Sequence, residues 1–417
     1  MKRIGIVGGG ISGLHLGLWL REYGLDATIY SEKTSSQLLD APLRNIVIRN
    51  ACTRQRERDL RVNHWDDTAP DLGALAVTVA GTPIAFAGTL APPSNVVDMR
   101  IYCARLLDDF STRGGDVVIG TLAACDLDEL STRHDLLVIA SGRGSLSNVF
   151  ERVPEHSPNS EPQRLVVAGF YRGIRPRDPL GFEVVISRGH GEILVFPLFS
   201  FEPGLTGLGI EAIRGGAFGR LSEMKYASDP RRFEQSVLDI IRDHAPTVYA
   251  RVKIDEFAVA RPQDVGYIAI TPTVRRGYRR LGNGRHVVAL GDAHVVMDPI
   301  TGQGANKAAQ AAATLADAIR DASGYDESFC RHVEQVMCRF ALPVSDACNA
   351  RLKPPPPHVG RLLGAAAQQQ RLADFYAFGF NHPDRYWEVV SSEERTDALL
   401  QQAPVGRVRS PSLIEHA

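Results

Sequence analysis

The residues best suited to chemistry are glycines spaced to let a backbone approach phosphate, with an acid and a second glycine loop far downstream. The run Ile4-Gly5-Ile6-Val7 leads into Gly8, Gly10 and Gly13, with Ser12 between the last two. Gly8 permits a tight strand-to-helix turn, Gly10 lets the backbone approach a pyrophosphate, and Gly13 lets helix and strand pack closely. The N-terminus of the following helix favours negative charge. A second run, Ala27-Thr28-Ile29-Tyr30, ends at Ser31 and Glu32, and Glu32 is the acid expected to grip an adenosine ribose. Much later, His286-Val287-Val288-Ala289-Leu290 runs into Gly291-Asp292, then Pro299 and Gly302-Gln303-Gly304-Ala305-Asn306. Asp292 is placed to accept a hydrogen bond from a ribityl chain. The helix opened by Gly302, Gly304 and Ala305 would turn free N–H groups towards the N1–C2=O edge of an isoalloxazine, where reduction places negative charge. In this order and at this separation, the two stretches read as the two ends of one FAD site.

Elements must hold these loops in place. Leu14, Leu16, Leu18 and Leu20 make the first helix apolar-rich. Strand-like runs follow at Leu165–Tyr171, Phe182–Ser187, Ile193–Phe199 and Leu205–Ile210, with one helix at Arg232–His244, which suggests a sheet covering the flavin. The alternation from Val77 to Ala87 could belong to the same sheet. Beyond about residue 325 the pattern is helical, broken at Pro354-Pro355-Pro356-Pro357. The expected fold class is α/β: a Rossmann-like FAD-binding domain with an inserted β-sheet substrate domain and a helical C-terminal region. The expected division is 1–165 and 266–325 for the two parts of the FAD domain, 166–265 for the substrate sheet and 326–417 for the C-terminal helices.

Composition narrows the class. The 417 residues are 44% hydrophobic with a net charge of −1 and no charged block, which argues against nucleic-acid or polybasic membrane partners. The basic residues Arg275, Arg276, Arg279 and Arg280 sit beside Gly277 and Gly282 and read as a solvated hairpin. Six scattered cysteines form no CxxC pair, so no metal site and no disulfide framework is expected. With no signal peptide and no membrane-spanning run, the expected location is cytoplasmic.

The order of motifs resembles the para-hydroxybenzoate-hydroxylase-fold flavin monooxygenases, and more narrowly the oxygenase (epoxidase) component of two-component styrene/indole monooxygenases. The resemblance runs nearly end to end, through Gly13-Leu14-His15-Leu16-Gly17-Leu18, Gln55-Arg56-Glu57, Val62-Asn63-His64-Trp65, Asp98 and Arg100. It continues in Pro162-Gln163-Arg164, Asp229-Pro230-Arg231 and the 302–306 loop. Its most specific parts are Gly189-His190-Gly191-Glu192 and the tail Phe380-Asn381-His382-Pro383 to Trp387, Ser391-Ser392 and Arg395.

This resemblance implies reduced FAD and O2 as reactants and epoxidation of an aryl alkene or indole-type double bond through a C4a-hydroperoxyflavin, with no acid/base dyad required. Where single-component relatives carry Asp-Gly, this chain reads Ser141-Gly142. A separate NAD(P)H-dependent flavin reductase is therefore expected as partner. By the family pattern the substrate pocket takes Asn45, Val47, Arg49, Leu72, Leu75 and Ser94, and as a strand Asn45, Val47 and Arg49 would share one face. Arg49, Leu72 and Leu75 depart from the styrene-type residues, and a roomier, aliphatic wall at 72 and 75 suits neutral aryl alkenes or indoles, groups larger than styrene included; the expected partner is a small apolar aromatic substrate. Arg49 is expected to pair with protein or cofactor. Arg44 and Arg100 are expected to reach the FAD phosphates. Two other readings compete: a single-component NAD(P)H-dependent aromatic hydroxylase and a non-catalytic FAD-fold binding protein. The halogenase signature Trp-x-Trp-x-Ile-Pro is absent. The sequence leaves the oligomeric state open, a homodimer included.

Overall fold

Two sheets organise the chain, seen in a computed structural model that describes residues 2–402. The C-terminal region expected at 326–417 thus extends past the described residues. The first sheet has six strands in the order Tyr278–Arg280, His286–Ala289, Leu136–Ile139, Arg3–Val7, Asp26–Ser31 and Asp116–Ile119. All neighbours are parallel except the Tyr278–Arg280 hairpin with His286–Ala289, where Arg279 and Arg280 are exposed. Helix Ile11–Glu22 is buried on most sides, with Leu14, Leu16, Leu18 and Leu20 fully so, because it packs between this sheet and helix Gly304–Asp321.

The second sheet has nine strands. Its path runs Ala258–Val259, Leu165–Arg172, Thr206–Ala212, Gly191–Pro197, Gly181–Ser187, Leu72–Val79, Ala85–Asp98 and Ile46–Arg49, and Val265–Ala269 also pairs with Leu165–Arg172. The segment 46–98 thus supplies three strands, more than its Val77–Ala87 alternation indicates. Helix Pro230–His244 covers one side with Phe233, Val237, Leu238 and Ile241, the spacing of a single helical face. On the other side lies helix Gln370–Asn381, packed closely on strand Ala85–Asp98: a Cβ at Gly88 would fall 2.0 Å from the Ala373 carbonyl oxygen. The proline run separates helices Glu327–Arg351 and Pro357–Ala366.

Candidate active site

The cofactor cradle is built where the two glycine stretches meet. Gly8 sits at φ +126°, and a Cβ there would lie 2.3 Å from the Ala140 carbonyl oxygen. At Gly13 a Cβ would lie 2.0 Å from the Gly8 carbonyl oxygen, so neither turn nor helix can carry a side chain. Gly10 and Gly304 differ: each faces open space, with nothing within 4 Å of a Cβ. Both stand at the starts of long helices, Ile11–Glu22 and Gly304–Asp321, whose first turns receive no side-chain cap. Two sets of free N–H groups therefore lie beside glycine-lined space, which suits the pyrophosphate and the pyrimidine edge of FAD. Contact between the motifs is direct, since a Cβ at Gly291 (φ +63°) would fall 2.6 Å from Ser12 Oγ.

Around this cradle, Glu32 is exposed just past strand Asp26–Ser31. Ser31 is buried and donates to the Lys33 carbonyl at 2.7 Å, which leaves Glu32 as the free polar group. Asp292 is partly exposed, with Arg143 Nε 3.6 Å from Oδ2. The Ser141 hydroxyl is buried without a partner. Pro299 starts the short turn Pro299–Thr301, and Gly302 closes it at φ +65°, where a Cβ would strike Ile48 Cδ1 at 2.5 Å. Ala305 packs against the first sheet's core. Asn306 accepts from the Asn50 backbone at 3.1 Å and the Thr53 hydroxyl at 2.7 Å, tying this helix to the start of helix Ala51–Asp59, just past strand Ile46–Arg49.

An apolar cluster adjoins the flavin loop. It includes Ile48, Leu72, Leu75, Phe182, Phe196 and Phe380. Ser94 is the cross-strand partner of Leu72, and its hydroxyl donates to Asn381 Oδ1 at 3.4 Å. Gln303 Nε2 donates to the Phe380 carbonyl at 2.9 Å, so the specific tail motif is fastened to the flavin loop. Leu72, Leu75 and Ser94 are thus brought together.

The strand Ile46–Arg49 divides its side chains differently from the expected grouping. Ile48 faces the apolar cluster, whereas Val47 lies in the core of the first sheet and Asn45 is exposed. Ile48 is the residue that sequence reasoning missed; the alternation marks two faces but does not say which one meets the flavin loop. Arg49 is fully buried in an ionic network: Nε donates to Glu57 Oε2 at 2.8 Å, Nη1 to Asn95 Oδ1 at 2.8 Å and Nη2 to Asp66 Oδ1 at 3.2 Å. Its Cζ lies 5.4 Å from the Trp65 ring centroid. Tyr102 donates to the other Glu57 oxygen at 2.6 Å. His15 Nε2 meets the Tyr102 oxygen at 2.6 Å, and burial pulls the imidazole down to about 3, so neutral His15 is the donor. Arg49 thus pairs with protein and lies outside the apolar cluster, away from the pocket in which the family pattern put it.

Arg100 is also consumed by protein contacts. It donates to Asp98 Oδ1 at 2.9 Å and Oδ2 at 2.6 Å, and to Asp264 at 2.6 Å. Arg44 is exposed. His190 accepts from the Ala217 backbone at 3.0 Å and acts as a structural hydrogen-bonder. Burial pulls His294 down to about 4, leaving it neutral at physiological pH. The described residues hold no metal-binding cluster of His, Cys, Asp or Glu, and no helix among them is long and apolar enough to cross a membrane.

Residues 142–251 match the family described as "Styrene monooxygenase A putative substrate binding domain". Two curated relatives share 36% identity with the chain. "Styrene monooxygenase StyA" of Pseudomonas fluorescens aligns over 410 residues, covering 96% of this chain and 98% of that protein. The protein of the same name from Pseudomonas sp aligns over 408 residues with the same coverage. Among solved structures, the flavin-dependent brominase Bmp2 superposes with a TM-score of 0.62 at 15% identity, over 94% of this chain and 93% of that one. The p-nitrophenol 4-monooxygenase PnpA from Pseudomonas putida DLL-E4 gives 0.62 at 13% identity, over 92% and 98%. These structural likenesses establish the flavoprotein fold. The identity with both curated relatives spans nearly the whole of each chain, and the protein is a member of the styrene monooxygenase family, flavin-dependent enzymes that use FAD and O2.

Proposed function

We propose that the protein epoxidises the double bond of an aryl alkene or indole-type substrate, using reduced FAD delivered by a separate NAD(P)H-dependent reductase. Bound reduced FAD supplies two electrons, so that one atom of O2 enters the double bond and the other leaves as water. The chain's own residues bind and enclose. Gly8, Gly10, Ser12, Gly13 and Glu32 would hold the ADP half. Gly291, Asp292, Pro299 and the loop Gly302 to Asn306 would hold the flavin half, with the N–H groups of helix Gly304–Asp321 favouring the reduced, negatively charged ring.

The observation that carries the substrate reading is the apolar cluster at the flavin loop. Ile48, Leu72, Leu75, Phe182 and Phe380 would surround an aromatic ring and exclude water from the reacting oxygen. Arg49, the one cation on the neighbouring strand, is turned away and paired, so it would leave the ring's surroundings apolar. Ser141 in place of the usual acid favours an external source of reduced flavin. Six free cysteines accord with a reducing, cytoplasmic setting. Supplying reduced FAD and O2 with styrene, indole and a bulkier aryl alkene tests the reading. Epoxide or its rearrangement product is expected from at least one of them, and peroxide release without product from all three would refute it.

A further inference from the structure

Buried arginines in this protein are paired with carboxylates. Arg49 has Glu57, Arg100 has Asp98 and Asp264, and Arg164 has Glu192. Arg351, half-buried, has no such partner among the described residues. It ends helix Glu327–Arg351, and its guanidinium carbon lies 5.5 Å from the Tyr376 ring centroid and 5.3 Å from that of Tyr386. Among the described residues no carboxylate pairs with it, and its neighbours, the Tyr376 and Tyr386 phenols and the Cys348 thiol, supply no counter-charge. The two rings hold the cation by their faces without neutralising it.

Arg351 lines a cavity of ≈ 30 Å³ together with Leu75, Thr301, Gln303, Cys348 and Phe380. Leu75 and Phe380 belong to the apolar cluster, and Thr301 and Gln303 to the flavin loop, so the cavity borders the cluster proposed to surround the aromatic ring. A second polar group is unsatisfied there. Gln303 is 1% exposed, and its Nε2 is spent on the Phe380 and Thr301 carbonyls at 2.9 and 3.3 Å. That fixes Oε1 as an acceptor, and it is buried with no donor. A cation without a counter-charge and an acceptor without a donor thus line the same cavity. The buried acceptor is costly without a donor, and the cation is free to pair with an anion.

Resting on the epoxidase reading, we propose that the preferred substrate is an indole-type ring bearing a carboxylate, with Arg351 reading the carboxylate and Gln303 Oε1 accepting the ring N–H. The cavity has room for roughly two water-sized groups, which matches the two oxygens of a carboxylate and excludes a ring. The ring would therefore stay among Ile48, Leu72 and Phe182 while its charged substituent reaches Arg351, whose planar fork suits bidentate pairing.

The test compares indole-3-acetate with the neutral 3-methylindole in the FAD-loaded enzyme, by reductase-coupled turnover and by calorimetric binding. Wild type should favour indole-3-acetate at least tenfold in KM and in affinity. Arg351→Met, which can still lie against the two tyrosines, should lose at least tenfold more with indole-3-acetate than with 3-methylindole. Arg351→Lys should recover part of the preference, and because the wild-type comparison stands alone, a misfolded variant does not weaken the test. Equal affinity of wild type for both compounds, or a preference that survives in Arg351→Met, would overturn the proposal. Carboxylate-dependent binding with no turnover of either compound, or of styrene, would instead count against the epoxidase reading and leave the Arg351 assignment standing.

Discussion

Arg49 and Glu57 form an ion pair in which both side chains are at 0% exposure, with Arg49 Nε 2.8 Å from Glu57 Oε2. The pair joins strand Ile46–Arg49 to helix Ala51–Asp59, and Tyr102 and His15 extend it to two further helices. It holds the strand so that Ile48, one residue before Arg49, faces the flavin loop.

Removing one partner should therefore cost far more than a surface pair would. Arg49→Leu leaves Glu57 buried beside Tyr102 without its cation. A loss of about 3–5 kcal/mol in unfolding free energy is expected by denaturant titration. A loss below ~1 kcal/mol would show that the network does not hold the strand.

A second buried group gives a pH signature. Burial pushes the Asp298 carboxyl up to about 6, reinforced by the Glu192 charge and opposed by the Ile300 backbone N–H and Arg164. The ordinary unfolded value is ~3.9, so the folded protein binds this proton more tightly. The site therefore costs stability increasingly as pH climbs from ~4 through 6, and the cost levels off above that. Asp298→Asn keeps an oxygen to accept from the Ile300 N–H. It should raise stability at pH 8 by up to about 3 kcal/mol and progressively less below pH 6. Thermal unfolding of both proteins across this range would check it, and a pH-independent difference would contradict it.

The uncapped N-terminus of helix Gly304–Asp321 predicts a redox preference. Reduction adds negative charge at the flavin edge expected to face helix Gly304–Asp321, so reduced FAD should bind more tightly than oxidised FAD. Titrating both states under anaerobic conditions tests this, and equal affinities would remove the argument.

Asp292 should matter for the cofactor more than for the fold. It is partly exposed and its nearest cation, Arg143, is 3.6 Å away, so it is free to accept from a ribityl hydroxyl. Asp292→Ala should weaken FAD binding by roughly 1.5–3 kcal/mol, measured by flavin fluorescence, with little change in unfolding midpoint. Unchanged affinity would place Asp292 outside the cofactor's reach.

What the sequence made legible follows from the range of the interactions. The glycine turns are local: Gly8 and Gly302 must adopt positive φ, and Gly13 must admit a carbonyl, whatever lies elsewhere. Leu72 and Ser94 meet as cross-strand partners, and a register shift between Leu72 and Ala74 lets Leu72 join Leu75 in one apolar cluster. The face presented by Ile46–Arg49 was not legible, because a strand with apolar residues on both sides packs against two cores. Nor was Arg100's commitment to Asp264, a residue 164 positions away. Arg351, Tyr376 and Tyr386 lie on helices Glu327–Arg351, Gln370–Asn381 and Pro383–Val390, and only the packing of those helices sets an arginine beside two rings.

The central claim is that the chain transfers one oxygen atom from O2 using reduced FAD that it does not itself generate from nicotinamide. One measurement addresses it directly: a single turnover under ¹⁸O2 with styrene or indole, run once with prereduced FAD and once with oxidised FAD plus NADH or NADPH. The account predicts one ¹⁸O atom per oxygenated product with prereduced FAD, and neither flavin bleaching nor product with nicotinamide alone. Rapid anaerobic bleaching by NADH or NADPH without a partner, or product oxygen drawn from water, would contradict it.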